Sequence, residues 1–213
     1  MTFPPAHERI EMVFRIVLSL ITGYLLGSVV TAILISKLVF KEDVRDKGSG
    51  NSGATNAARV YGLPFGVLTF IGDFIKGIAA CLIGRLIGGS PCMAAAGAAC
   101  MLGHFFPLYF GFRGGKGVSV GAALALMIDW RIFVAAISVF LIVVFIVRIV
   151  SAASIAATVT VGVLSLALAP SVILKLTGAL AAVAVIIKHI PNIKRLIAGT
   201  ERRITFGNGR RSP

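Results

Sequence analysis

The chain has 213 residues, 57% of them hydrophobic and 14% charged, with a net charge of +13. That charged share is about half the roughly 25% of soluble domains, and long apolar runs recur throughout, which excludes a soluble domain and indicates an integral membrane protein. The positive excess then belongs to basic loops facing anionic lipid and the cytoplasm rather than to nucleic-acid binding, and it favours a phosphorylated substrate.

No polar linker divides the chain, so residues 1–213 read as one all-α, polytopic membrane domain. Seven spans are predicted at about 13–39, 62–87, 91–110, 117–129, 131–148, 152–169 and 171–187. The first run starts near Met12 and continues to Phe40 without a small-residue cleavage site, so it is expected to be a span and not a leader. The fourth is short, with a start inside Gly114–Val120. Only Asp129, Trp130 and Arg131 separate it from the fifth, and Pro170 divides the sixth from the seventh. Seven spans put the termini on opposite sides. Fifteen lysines and arginines, Arg210 and Arg211 among them, then share one side against five on the other. The excess of basic residues places the C-terminus in the cytoplasm and the N-terminus outside. Four polar segments, 41–59, 103–117, 148–154 and 188–203, fall on the cytoplasmic face and are expected to meet in one cleft. Cys81, Cys92 and Cys100 lie in or beside apolar runs and form no CxxC pair, so neither a metal site nor a disulfide framework is expected.

The first segment contains GSGNSGATN, residues 48–56, directly after the charged run KEDVRDK. Its glycines, Gly50 and Gly53 among them, permit positive φ and let backbone N–H groups approach a ligand. Ser49, Asn51, Thr55 and Asn56 add hydrogen-bonding side chains, Arg45 and Lys47 precede them, and Arg59 follows. This suits a phosphate or carboxylate, although it is not a Walker A loop; the plainer alternative is a flexible loop. The second is GHFFPLYFGFRGGKGVSVG, 103–121, where Gly114, Gly115 and Gly117 surround Lys116 just before an apolar helix, with His104 on the same face. The third is KHIPNIKRLIAGTE, 188–201. If it is helical, His189, Asn192 and Arg195 share one face. Glu201 is the only acid in this basic tail, and Lys188 opens the segment. A lipid-binding cluster would explain its cations but not the His/Asn pair. Ser28, Ser151 and Ser154 offer hydroxyls. Asp73 and Lys76 sit mid-span three residues apart; a lone charge there costs about 2.5–3.5 kcal/mol, so they are expected to pair, in a structural or a functional role.

Together the three segments resemble the PlsY family, bacterial membrane acyl-phosphate:glycerol-3-phosphate acyltransferases. Its patterns, close to GSGNxGATN, GHxFPxxFxFxGGKGV and HxxNIxRLxxGxE, occur here in order over nearly the whole chain. Two departures stand out: Gly27-Ser28 precedes Val29-Val30 where the family has Gly-Ser-x-Pro, and Ser119-Val120 replaces a frequent Ala-Thr. The resemblance implies transfer of a fatty acyl group from acyl phosphate to the sn-1 hydroxyl of glycerol 3-phosphate, giving lysophosphatidic acid and inorganic phosphate. This would be the first acylation of phospholipid synthesis, at the cytoplasmic face of the bacterial inner membrane. It implies no metal or cofactor, and membrane lipids and the enzyme that makes acyl phosphate as partners. Under it, Arg45, Lys116, His189 and Asn192 are expected to be catalytic, and the other polar residues named above to bind substrate and phosphate.

The His-x4-Asp pair of CoA-dependent acyltransferases is absent, since Met12, Tyr109 and Lys194 follow His7, His104 and His189 five positions on. Direct transfer without an acyl-enzyme is expected, because no serine or cysteine is paired with a base in sequence. Either His189 or the donor phosphate takes the proton. A transporter of a phosphorylated or anionic solute is the rival class; it would show internal repeats and helices broken at mid-membrane.

Overall fold

The computed structural model describes residues 5–204. Nine α-helices and no strands occur among them: α1 (Ala6–Ser28), α2 (Thr31–Val39), α3 (Ala54–Tyr61), α4 (Leu63–Phe105), α5 (Val118–Ile128), α6 (Trp130–Val147), α7 (Val150–Leu168), α8 (Val172–Lys188) and α9 (Ile190–Ile197). Single 3-10 turns lie at Val44–Asp46 and Leu108–Phe110. Arg210 and Arg211 lie outside the described residues.

Each of the seven apolar runs is helical, but the breaks differ from expectation. The first run is not continuous. Val29 and Val30 are extended (φ/ψ −76/103° and −101/109°), which separates α1 from α2. The second and third runs form one element, α4, which reverses where Gly88 (φ −168°, ψ 38°) and Gly89 (φ +69°, ψ −150°) leave helical geometry. The two arms then lie side by side, with Gly84 against Cys92 and Ala96, and Gly97 against Cys81. Only glycine adopts the Gly89 conformation without strain.

Close approach of helices depends on small residues, as in other membrane bundles. Gly23 and Gly27, one turn apart on α1, rest on the backbone of Ala96 and Cys100 in the second arm of α4, and Gly103 returns the contact against Tyr24. Large apolar side chains such as Phe14, Leu86, Phe145 and Leu180 are exposed, as a lipid-facing surface requires. By length and apolarity four helical units suffice to cross a bilayer: Ala6–Val39, Leu63–Phe110, Trp130–Val147 and Val150–Leu168. The pair α8 and α9, bent by 56°, makes a fifth if counted as one span. At 11 residues α5 is short of the roughly 20 a span needs. The architecture is that of a multi-pass helical membrane protein.

Two short helices lie outside the seven runs: α3, which was not expected, and α9, the helical alternative for the 188–201 segment. Both sit beside the polar segments: α3 completes the 48–56 loop, and α9 follows the bend at His189 with Pro191 in its first turn.

Candidate active site

Hydrogen bonds tie the four polar segments together. Arg45 reaches from the first segment to the second, donating from Nη1 to Phe110 O (2.7 Å) and Arg113 O (2.8 Å). Lys116 joins the second to the fourth by donating from Nζ to Asn192 Oδ1. Ser151 joins the third to the fourth, its Oγ donating to Glu201 Oε1 at 2.8 Å, and Ile204 N donates to Arg148 O at 2.7 Å.

Glu201 is the hub of the fourth segment. Besides Ser151, it accepts from Asn192 Nδ2 (2.6 Å) and Arg195 Nε (2.5 Å). Asn192 therefore faces both ways, its amide N–H held by Glu201 and its carbonyl oxygen offered to Lys116. Burial pushes the Glu201 carboxyl up, but hydrogen bonds from Arg195, Ser151 and Asn192 outweigh it and leave the group below its ordinary range. Burial pushes the Lys116 ammonium down to about 8; the charge of Glu201 opposes that, while Arg195 and Arg59 add to it. His189 is buried at the end of α8, and its Nδ1 lies 2.8 Å from Val185 O. A carbonyl only accepts, so Nδ1 carries the proton and the lone pair is on Nε2.

The glycine loop around Lys116 is built on His104. Gly115 N donates to His104 O at 3.1 Å and Gly114 N to Phe105 O at 3.2 Å. A Cβ on Gly114 would collide with His104 O, and one on Gly115 with the His104 ring at Nε2. Gly117 has φ +79° and starts α5 with no side-chain cap, so the first N–H groups of that helix are open beside Lys116. That arrangement favours an anion.

In the 48–56 loop, Asn56 is structural. It accepts from Ser49 N (2.8 Å) and donates to Val44 O (3.0 Å) and Lys47 O (3.1 Å), closing the loop while Gly48 and Gly50 take positive φ. Asn56 itself is buried. α3 starts inside this stretch, with Gly53 as its N-cap and no side-chain cap, and the side chains of Ser49, Asn51 and Thr55 make no hydrogen bond among the described residues.

The other expected site residues are engaged with neighbouring protein groups. Arg45 forks onto Asp43, Nε to Oδ1 at 2.9 Å and Nη2 to Oδ2 at 2.7 Å. With Nη1 committed to two carbonyls, one of its five N–H groups is left. Ser28 is buried, donating to Tyr24 O (2.8 Å) and accepting from Leu108 N (3.2 Å), which fixes the 106–110 turn to α1. Lys188 lies over the Phe106 ring at 4.0 Å from its centroid. His104 belongs to two places, the glycine loop and the Asp73–Lys76 pair, whose ions do meet, at 2.8 Å. Ser154 is buried one turn beyond Ser151 on α7. Arg59 on α3, the cation that follows the 48–56 loop, stands close enough to Glu201, Arg195 and Arg202 for their charges to act on it.

The family model for glycerol-3-phosphate acyltransferase matches residues 17–199. "Glycerol-3-phosphate acyltransferase 2" of Bacillus anthracis is 37% identical over 188 residues, 88% of this chain and 98% of that protein. A glycerol-3-phosphate acyltransferase of Trichlorobacter lovleyi is 40% identical, covering 85% of this chain and 93% of its own. Two crystal structures of PlsY, an integral membrane glycerol 3-phosphate acyltransferase, are similar. The glycerol 3-phosphate form has a TM-score of 0.85 at 35% identity, covering 89% of this chain and 96% of that one. The lysophosphatidic acid form has a TM-score of 0.82 at 34% identity, covering 89% and 95%. The chain belongs to the glycerol-3-phosphate acyltransferase family.

Proposed function

We propose that this protein transfers a fatty acyl group from acyl phosphate to the sn-1 hydroxyl of glycerol 3-phosphate, directly and in a ternary complex. The observation that carries the reading is the Lys116–Asn192–Glu201–Ser151 chain of hydrogen bonds, which joins three distant polar segments around a partly free cation. Lys116 and the open N-terminus of α5 suit one phosphate; the 48–56 loop, the start of α3 and the last N–H of Arg45 suit the other. The acyl chain lies among the apolar helices.

In the reaction the sn-1 oxygen attacks the carbonyl carbon, the bond to the phosphate oxygen breaks, and inorganic phosphate leaves. Holding two anions and a hydroxyl in attack geometry supplies several kcal/mol. Fixed N–H donors and the Lys116 ammonium stabilise the tetrahedral oxyanion. His189, its Nδ1–H committed to Val185 O, accepts the hydroxyl proton as a hydrogen bond at Nε2 and aims the oxygen. The proton ends on the departing phosphate, whose charge makes it the better acceptor; Val185 offers His189 a neutral carbonyl, not a carboxylate. Neither Ser151 nor Ser28 is paired with a strong base: Ser151 donates to Glu201, a carboxylate that its hydrogen bonds hold below the ordinary range, and Ser28 donates to Tyr24 O.

We also place seven crossings of the membrane, with the two arms of α4 as separate spans and α5 as a short one. The N-terminus is then outside and the cleft faces the cytoplasm of a bacterial inner membrane, since the basic residues gather at the cleft end. The break between α1 and α2 is of the kind transporters use to coordinate solutes. Here Lys76 Nζ takes two of its carbonyls, Gly27 O at 3.1 Å and Val29 O at 2.5 Å, so a cation of the protein itself stands where a passenger would be coordinated.

The test is turnover by purified protein given glycerol 3-phosphate and either acyl phosphate or acyl-CoA. Lysophosphatidate from acyl phosphate alone is expected, and no labelled acyl group should remain on the protein when the acceptor is withheld. Product from acyl-CoA, or a stoichiometric adduct that turns over on adding glycerol 3-phosphate, would overturn the reading.

A further inference from the structure

Asp73 and Lys76 stand in the first arm of α4, His104 at the end of the second, and all three are buried. Lys76 Nζ faces four acceptors: Asp73 Oδ1 (2.8 Å), Gly27 O (3.1 Å), Val29 O (2.5 Å) and His104 Nδ1 (3.0 Å). An ammonium has three protons and accepts none, so His104 Nδ1 is the acceptor in that contact and the ring proton sits on Nε2. Asp73 is held in turn by Thr31, N at 3.3 Å and Oγ1 at 3.0 Å, the first residue of α2. Gly115 rests on the ring so fixed, and Gly114 on the backbone carbonyl of the same histidine; these are the two residues before Lys116.

We propose that His104 is a positioning residue for Lys116, its ring locked by the Asp73–Lys76 ion pair so that the glycine loop presents the ammonium at one height above the bundle. The proposal rests on the reading of Lys116 as a phosphate-holding cation. It gives the ion pair a task beyond closing the helix break. Lys76 binds the carbonyls of the break and the ring with the same ammonium, so the α1–α2 break and the substrate loop share one anchor. A misplacement of about 1 Å at a reacting group can cost about a hundredfold in rate, so a loop seated on a mobile ring would be a poor substrate clamp.

The seat makes a reciprocal test available. In Gly115→Ala the added methyl meets the His104 ring and lifts the loop; in His104→Asn the amide oxygen still accepts from Lys76 but the far half of the ring is gone. Each single variant is expected to raise KM for glycerol 3-phosphate roughly tenfold or more, with a smaller change in kcat. In the double variant the methyl occupies the vacated space, and KM should return toward the wild-type value. A double variant as impaired as the product of the singles would overturn the seat. The second arm is Asp73→Asn/Lys76→Gln, which removes both charges together and leaves no unpaired ion. Hydrogen exchange should then quicken in peptides covering 106–118 but not in those covering 148–154 or 189–201. Equal quickening everywhere, or none, would overturn the link from the ion pair to the loop. Should that variant not accumulate, the His104/Gly115 pair decides. The exchange readout needs no turnover. If the wild type fails to use acyl phosphate, that is a failure of the functional reading and leaves the positioning result standing on its own.

Discussion

Lys76 and Lys116 are both lysines enclosed by helices, and they differ in how many of their protons are committed. Lys76, 8% exposed, has four acceptors within hydrogen-bonding reach for its three protons. Lys116 has one, Asn192 Oδ1, among the described residues. The first ammonium is saturated by the fold and leaves nothing for a ligand. The second keeps donors in reserve, next to a glycine loop and an uncapped helix. A saturated cation holds parts together; an unsaturated one waits for an anion. The same distinction divides Arg45, with one N–H to spare, from a purely structural arginine.

The largest effect should come from removing the reserve. Lys116→Ala is expected to lower kcat/KM for glycerol 3-phosphate by about 10²–10³-fold, the usual loss for one electrostatic donor at a reacting centre, with the thermal midpoint little changed. Lys76→Met should do the reverse. It leaves Asp73 buried without its counter-ion, which costs about 3–5 kcal/mol of stability, so the protein should melt earlier or fail to accumulate. If Lys116→Ala melts early and Lys76→Met does not, the contrast between the two lysines is wrong.

Arg45→Lys comes next. A lysine keeps the charge but loses the fork onto Asp43 and at least one of the carbonyls at 110 and 113. A drop in kcat/KM of roughly tenfold is expected, with less harm from Asp43→Asn, which preserves hydrogen-bond acceptance at one oxygen. Steady-state kinetics on the two variants side by side decide it.

The pH profile gives a smaller effect. Lys116 is a cation below its pKa, and burial has pushed that value down to about 8. kcat/KM for glycerol 3-phosphate should therefore hold through neutrality and fall above about pH 8, approaching one decade per pH unit. Arg59 is one of the positive neighbours that lower it. Arg59→Gln should move this alkaline limb to higher pH; a limb that stays in place would remove Arg59 from the neighbourhood of the site.

How far the sequence carried depended on what each residue was doing. The three polar segments were legible because glycines beside cations, interrupting apolar helices, rarely serve packing alone, and the structure does bring them together. The Asp73–Lys76 pair was legible because a membrane interior compels it. The break at Val29-Val30 was not, since two β-branched residues in an apolar run carry no glycine or proline to mark it. The reach of Arg45 to the carbonyls of Phe110 and Arg113, the seat of the loop on His104 and the hub at Glu201 were equally hidden. Each depends on which residues meet in space, across 65 to 68 positions in the case of Arg45 and its two carbonyls. The partners of Ser28, Tyr24 O and Leu108 N, were likewise outside what the sequence shows.

The most direct measurement is glycerol 3-phosphate binding to the purified, detergent-solubilised protein by calorimetry, wild type against Lys116→Ala, with the melting curve of each recorded alongside. The expected result is binding by the wild type and a loss of at least about tenfold in affinity in a variant that melts at the same temperature, since a charge-assisted contact contributes about 1.5–3 kcal/mol. Equal affinity in a folded Lys116→Ala would mean that the unspent protons of Lys116 hold no substrate, and the cleft would have to be rebuilt around other residues.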